Sequence, residues 1–343
     1  MLKSPREQIR EQRRLKGCSM SRKTRNTARK TPPPEVRRAG ATSGRPVSPS
    51  STHKARIIAV CNQKGGCGKT TSVINIAAGL ASLGKRVLVV DLDSQCNATT
   101  GLCGVDGQPD SHALSTFDLM VRSSEVRPKD TVLETPYKNL SIIPGSIILS
   151  EFESRVAAEI GRENKLKKAL AGLRGEFDFI LLDTPPSLGL ISVNALNAAT
   201  EVQIAMQAHP FALDGLNLLL ETIELVQAEL NPSLSISGVY ITMFDARTRI
   251  SQEILQSVAA NAGLRRIIFD TVIRQNIKVT EASQAKVPVM YYDADCTGTA
   301  DYLGLSKEIA RQRLGAQATP VSKRKQTVSK SAQKTKSAAK ECP

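Results

Sequence analysis

The sequence predicts an α/β fold: an open, doubly wound, mostly parallel sheet with helices on both faces, in a single domain between two basic arms. Three observations carry that expectation. Short apolar runs alternate with longer segments of helical spacing, a glycine-rich stretch opens directly after the first apolar run, and the positive charge is concentrated at the two ends.

The ends come first. The 343 residues carry a formal net charge of +15, but residues 1–54 hold 15 Lys/Arg and 3 Glu, residues 316–343 hold 7 and 1, and the body at 55–315 holds 25 basic against 28 acidic residues. The body is therefore near neutral and the basicity belongs to the arms. Both arms are rich in Lys, Arg, Ser and Thr, the first also in Pro, and both are poor in large apolar side chains. They are expected to be disordered, since they cannot offset the entropy of ordering. Met20 offers a second start, and the Arg-rich leader also has the composition of a transit peptide. No run of eighteen apolar residues occurs, so a membrane-spanning helix is not expected and the location is read as cytoplasmic. The seven cysteines are odd in number and form no CxxC pair, which argues against a disulfide framework or a zinc ribbon. Trp is absent and aromatics make up 3%, so any nucleic-acid contact should be electrostatic rather than stacked.

Within the body, apolar runs at 55–61, 86–93, 140–145, 177–183, 201–207 and 235–244 read as strands buried on both faces, the pattern of a parallel sheet. The segments 70–84, 164–173, 212–230 and 250–263 have helical spacing and stop at Gly or before Pro232. In such a sheet the ligand site lies beyond the carboxyl ends of the strands.

That is where the glycine-rich stretch falls. Residues 62–71, Asn-Gln-Lys-Gly-Gly-Cys-Gly-Lys-Thr-Thr, follow the first strand and lead into a helix. Gly65, Gly66 and Gly68 let backbone N–H groups turn inward around Cys67, and the helix amino terminus adds a positive dipole, so the stretch can cradle phosphates. Lys69 would reach the β and γ phosphates and the Thr70 hydroxyl a Mg²⁺ ion, and Thr71 is expected to bind the nucleotide with the rest of the loop. The ordinary GxxxxGK[ST] pattern is not met, because its first glycine would fall at Gln63. Two acidic strand ends follow: Asp91 and Asp93 in DLDSQCNAT, whose carboxylates alternate onto one side, and Asp183 in FILLDTPPS.

Read together, KGGCGKTT, DLDSQCN and FILLDTPP resemble the ParA/MinD family of ATPases with a deviant phosphate loop, and the resemblance covers about residues 55–313. It implies a P-loop NTPase fold with ATP and Mg²⁺ as cofactors. Lys64 is similar to the signature lysine of that family, which reaches the nucleotide of the other subunit, so an ATP-dependent homodimer is implied. By the same resemblance Asp93 would orient the attacking water, and Asp183 would hold Mg²⁺ through a water. Asp91 would be either a magnesium-shell carboxylate or a structural one. Ser94 and Cys96 stand where the family has proline and glycine.

Residues 210–216 (PFALDGL), 242–248 (TMFDART) and 272–278 (VIRQNIK) look like the ParA/Soj branch, which implies non-specific DNA binding through Arg247 and Lys278, a nucleotide-site role for Asn276, a ParB-like centromere-binding partner and association with the nucleoid. Arg274-Gln275 replaces that branch's Pro-Arg. The alternative is a MinD-like ATPase or one that positions a protein cargo. A membrane-cycling member would need an apolar-faced carboxyl-terminal helix, which the Lys/Ser/Ala tail does not offer, so no membrane is expected. Cys67 reads as a small filler within the loop.

Overall fold

The computed structural model describes residues 54–104, 113–122, 124–209, 212–260 and 265–312; the two arms lie outside them. In chain order the elements are β1 (Arg56–Cys61), α1 (Lys69–Ser82), β2 (Val87–Asp91), α2 (Asn97–Cys103), α3 (Thr116–Val121), β3 (Leu133–Glu134), β4 (Leu140–Ile143), α4 (Phe152–Arg155), α5 (Lys165–Leu170), β5 (Phe179–Asp183), α6 (Leu190–Ala198), β6 (Glu201–Gln207), α7 (Ala212–Glu229), β7 (Ser235–Thr242), α8 (Arg249–Ala260), α9 (Ile277–Gln284), α10 (Val289–Tyr292) and α11 (Thr297–Arg311). The strands form one sheet in the order β3-β4-β2-β5-β1-β6-β7. Every ladder is parallel except β3 on β4. The doubly wound sheet expected from the sequence is therefore present.

Its strands are apolar throughout because each is buried on both faces. Alternate residues feed two cores. Ile57, Ala59 and Cys61 of β1 face α3 to α8, packing with Leu166, Leu196, Leu219, Ile223 and Ile254. Ile58 and Val60 face α1, α2 and α9 to α11, packing with Val73, Ile76, Leu80, Leu102 and Leu305. Helix α11 lies close on α1: a Cβ at Gly79 would overlap the Ser306 side chain, whose hydroxyl donates to the Ile76 carbonyl at 3.3 Å.

The strand expected at 201–207 is found with those bounds, and the other five are shorter than expected by one to three residues. The expected helix at 164–173 is α5 flanked by single 3-10 turns at Arg162–Asn164 and Ala171–Leu173. The two-residue strand β3 and the short helices α2, α3, α4 and α10 were not foreseen, being too brief to carry a hydrophobic period. Beyond the edge strand β7, the chain runs alongside through isolated parallel bridges, Val239 with Ile268 and Phe244 with Arg274.

Candidate phosphate-binding site

The parallel strands bring the carboxyl ends of β1, β2 and β5 side by side. Val60 is in register with Asp183 and Asp183 with Asp91. Residues 62–68 leave β1 at that edge and enter α1. Gly66 (φ 72°) and Gly68 (φ 85°) adopt the left-handed conformation that a Cβ would strain, so the loop can curl without cost to a side chain. Gly68 caps α1 with no side-chain hydrogen bond, and no acidic residue occupies the first turn. The first amide groups of a fourteen-residue helix are thus left for an anion.

Around the loop the protein supplies its own splints. Asn62 Oδ1 accepts from the Lys64 N–H at 2.9 Å, while its Nδ2 donates to the Ala205 carbonyl at 2.5 Å. The Thr242 hydroxyl donates to the Cys67 carbonyl at 2.8 Å, pinning the loop to the end of β7. Neither Asn62 nor Thr242 was singled out from sequence; both lie inside quoted motif strings, yet nothing in the spacing shows that they reach the loop. Cys67 is fully buried, as a filler would be, and burial raises its thiol pKa. Among the described residues Cys61, Cys67, Cys96, Cys103 and Cys296 are free thiols.

Lys69 is 7% exposed, and its ammonium makes one contact, the Lys64 carbonyl at 3.3 Å. The Lys64 N–H is bonded, but among the described residues its side chain makes no hydrogen bond or ion pair, and it stays half exposed. Thr70 and Thr71 open α1, where the Thr70 side chain faces Asp183.

The acids differ sharply. Asp183 is fully buried, and among the described residues neither carboxylate oxygen makes a hydrogen bond of good geometry, although the Thr70 hydroxyl lies near enough to favour its charged form. Burial, then the neighbouring Asp91 charge, pushes its pKa well above the ordinary carboxylate value. Two orphaned anionic oxygens beside a threonine hydroxyl and a buried lysine fit a hard divalent cation. No group of three His, Cys, Asp or Glu side chains forms a metal cage among the described residues. Mg²⁺ keeps several waters and shares its shell with phosphate oxygens, so it needs few protein ligands.

Asp91 is equally buried but satisfied. Its Oδ2 accepts from the Thr99 N–H at 2.8 Å and the Thr99 hydroxyl at 2.7 Å, and its Oδ1 from the Asp93 N–H at 3.2 Å. Burial still raises its pKa to about 6. Gly145 comes so close that a Cβ there would lie 2.9 Å from the Asp91 carboxyl carbon. Of the two roles open for Asp91, this geometry favours the structural one: it ties the start of α2 to the sheet. Cys96, at the family's glycine position, holds φ 53°, the left-handed turn that glycine adopts more cheaply by roughly 1 kcal/mol. Asp93 is half-buried; one oxygen accepts from the Gln95 N–H at 3.0 Å and the other has no protein partner.

Away from the loop, Asn276 caps α9. Its Oδ1 accepts from the Lys278 N–H at 2.7 Å and its Nδ2 donates to Thr297 at 2.6 Å. Both ends of the amide are thus committed to the protein. Arg247 is 90% exposed and pairs with Asp245 at 2.8 Å, and Lys278 pairs with Glu281 at 2.9 Å and lies 5.9 Å over the Tyr292 ring. Arg274 is held by Asp301 at 2.6 Å.

This arrangement has close counterparts. A family model described as an AAA domain matches residues 55–236. The chromosome-partitioning ATPase Soj of Treponema pallidum is 44% identical over 248 residues, covering 72% of this chain and 94% of Soj. The chain belongs to the Soj/ParA family of chromosome-partitioning ATPases. The chromosome partitioning protein ParA of Caulobacter vibrioides is 38% identical over 266 residues, covering 77% of this chain and 97% of its own. Among solved structures, cobyrinic acid a,c-diamide synthase of Mycobacterium smegmatis with bound ADP and magnesium superposes with a TM-score of 0.64. It is 32% identical and covers 78% of this chain and 98% of its own.

A stability test follows from Asp183. A carboxylate whose folded pKa is raised costs the folded state as pH climbs past its unfolded value, ordinarily 3.8. Asp183→Asn is therefore expected to raise the melting temperature of the nucleotide-free protein at pH 7. The gain should vanish below about pH 4, where the acid is protonated in both states. The same variant should gain no further stability from magnesium–nucleotide. An unchanged melting temperature at pH 7 would show that Asp183 is not the strained group.

Proposed function

We propose that this chain is a DNA-partition ATPase that binds ATP with Mg²⁺ and dimerises on ATP through its phosphate loop. In that state it holds DNA without sequence preference, and it hydrolyses ATP when a ParB-like centromere-binding partner stimulates it, acting on the nucleoid in the cytoplasm. The observation that carries the reading is the unpartnered Asp183 carboxylate facing Thr70 and Lys69 at the head of α1.

In this reading the amides of residues 65–70 and the Lys69 ammonium bind the phosphates, Thr70 and Asp183 hold the cation, and Asp93 orients the attacking water with its unpartnered oxygen. Magnesium, when bound, neutralises charge on the phosphate oxygens. Phosphoryl transfer needs positioning and charge neutralisation more than covalent help, so this set is sufficient in kind. Lys64 supports the reading of a second subunit, because among the described residues its half-exposed side chain has no hydrogen bond or ion pair. Arg247 and Lys278 offer exposed cations for phosphate contacts, each tethered by a local carboxylate that DNA would have to displace.

Lys64→Ala is expected to bind nucleotide yet remain monomeric by light scattering at concentrations where the wild type dimerises with ATP. A dimer of the variant would overturn the cross-subunit role. The wider reading is tested by affinity for random-sequence duplex across a salt series. An ATP-dependent increment that Arg247→Ala and Lys278→Ala each reduce supports it, and equal affinity with ATP and ADP overturns it.

A further inference from the structure

Thr242 closes β7 and is buried, and its hydroxyl donates to the Cys67 carbonyl at 2.8 Å. A trans peptide points its C=O and N–H in opposite directions, so holding this carbonyl turns the Gly68 N–H, one of the cradle amides, away from Thr242. The approach is close: a Cβ at Gly68 would lie 3.9 Å from both the Thr242 Cβ and the Met243 Cε.

The next residue is a strained joint. Met243 has φ 54°, a left-handed backbone that a residue with a Cβ adopts at a cost, and such residues persist only where their surroundings over-determine them. Here they do. On one side the Thr242 carbonyl accepts from the Ala208 N–H at 3.2 Å. On the other, Phe244 donates its N–H to the Ile273 carbonyl at 3.0 Å and accepts from the Gln275 N–H at 2.9 Å.

Both candidate DNA cations hang from that far side. Asp245 accepts from the Arg247 N–H at 3.0 Å and from its guanidinium at 3.0 and 2.8 Å. Gln275 leads into Asn276, whose side chain caps α9 by accepting from the Lys278 N–H at 2.7 Å. A continuous run of bonds therefore leads from one peptide of the phosphate loop to Arg247 and to Lys278, all of it inside a single chain.

We propose that Thr242 is a positioning residue that transmits the filling of the phosphate loop to the segments carrying Arg247 and Lys278 within one subunit, with Met243 as the joint. A phosphate that takes the Gly68 N–H acts on the peptide that Thr242 holds. A shift of that peptide is passed on at Met243, because the residues on either side of the joint are bonded in place. The role of the two cations in holding DNA rests on the partition reading above; the coupling does not.

The test uses the full-length wild type, Thr242→Val, which keeps the branched shape and removes the hydroxyl, and Thr242→Ser, which restores the hydroxyl. Amide hydrogen exchange is followed at 244–248 and 273–278 with magnesium alone and with Mg–ADP, which keeps ATP-dependent dimerisation out of the measurement. Mg–ADP is expected to slow exchange there by about two- to tenfold in the wild type, the range that the net worth of one hydrogen bond gives. Thr242→Val should bind ADP without that slowing, and Thr242→Ser should recover it. A wild type that shows no slowing, or a Thr242→Val protein that slows as much as the wild type, would overturn the proposal. Should Thr242→Val fail to hold ADP, Met243→Gly decides, since it keeps the hydroxyl bond and frees the joint: loss of the slowing supports the coupling and full slowing refutes it. Random-sequence duplex separates the two readings. If exchange responds as expected but the wild type binds duplex equally with ATP and ADP, the coupling stands and the DNA reading falls. If Thr242→Val gains as much duplex affinity from ATP as the wild type does, the coupling falls and the partition reading stands.

Discussion

Asp93→Ala is expected to bind ATP, dimerise and hold DNA while its turnover falls by about 10²–10⁴-fold, the usual contribution of a positioned acid–base group. The side chain sits just past the end of β2, two residues beyond Asp91, and Asp91 is in register with Asp183. It makes one bond of its own, to the Gln95 N–H at 3.0 Å, and leaves its second oxygen to solvent or substrate. Removing it disturbs neither the glycine loop nor Thr70, Lys69 or Asp183, so binding should survive. Asp93→Asn preserves an acceptor for Gln95 but not the charge. It should match the alanine variant in rate if the carboxylate acts on water, and match the wild type if the bond to Gln95 is all that counts. Wild-type hydrolysis by both variants would remove Asp93 from the mechanism.

Arg56→Ala is expected to lower folding stability by about 3–5 kcal/mol, read as a shift in the denaturant midpoint. Glu201 is fully buried, and the substitution strips it of both its bonds and leaves an uncompensated charge beside the sheet. It also frees the Ile309 and Gln312 carbonyls and removes the guanidinium that lies 5.1 Å over the Phe179 ring. The pair Arg56→Met with Glu201→Gln should recover much of the loss, because exchanging both members of a buried pair removes the orphaned charge. Equal stability of the wild type and Arg56→Ala would show that the Arg56–Glu201 pair does not hold the fold.

The sheet and the phosphate loop were legible because their signals are local. Six apolar runs set the strands, and the glycines, Lys69 and Thr70 stand contiguous at the end of the first. Asp183 was legible as an acid closing an apolar strand, but its lack of partners is a fact of three dimensions. Sequence could not separate Asp91 from Asp93. Alternation puts both on one side, and only the fold shows Thr99 and Gly145 closing on one and solvent left to the other. Asn276 read as a nucleotide ligand by resemblance, whereas an asparagine one residue before a helix is equally an N-cap, and its Oδ1 accepts the Lys278 N–H as a cap does while its Nδ2 reaches Thr297. The Arg56–Glu201 pair left a faint trace: a charged residue opens each of two apolar strands 145 positions apart. Nothing in the spacing says that those strands are neighbours.

The borders of the sheet have a consequence for how copies of this chain can meet. One border is β3, two residues long and antiparallel, which offers too short a row of free amides and carbonyls for another chain to zip onto. The other is β7, where the Ile268 and Arg274 segments run alongside and already take the Val239 and Phe244 positions. A protein crowded onto a polymer at high local density is exposed to open-ended, fibre-like stacking through unpaired strands. Here both borders are blunted, so open-ended stacking of copies through unpaired strands is disfavoured.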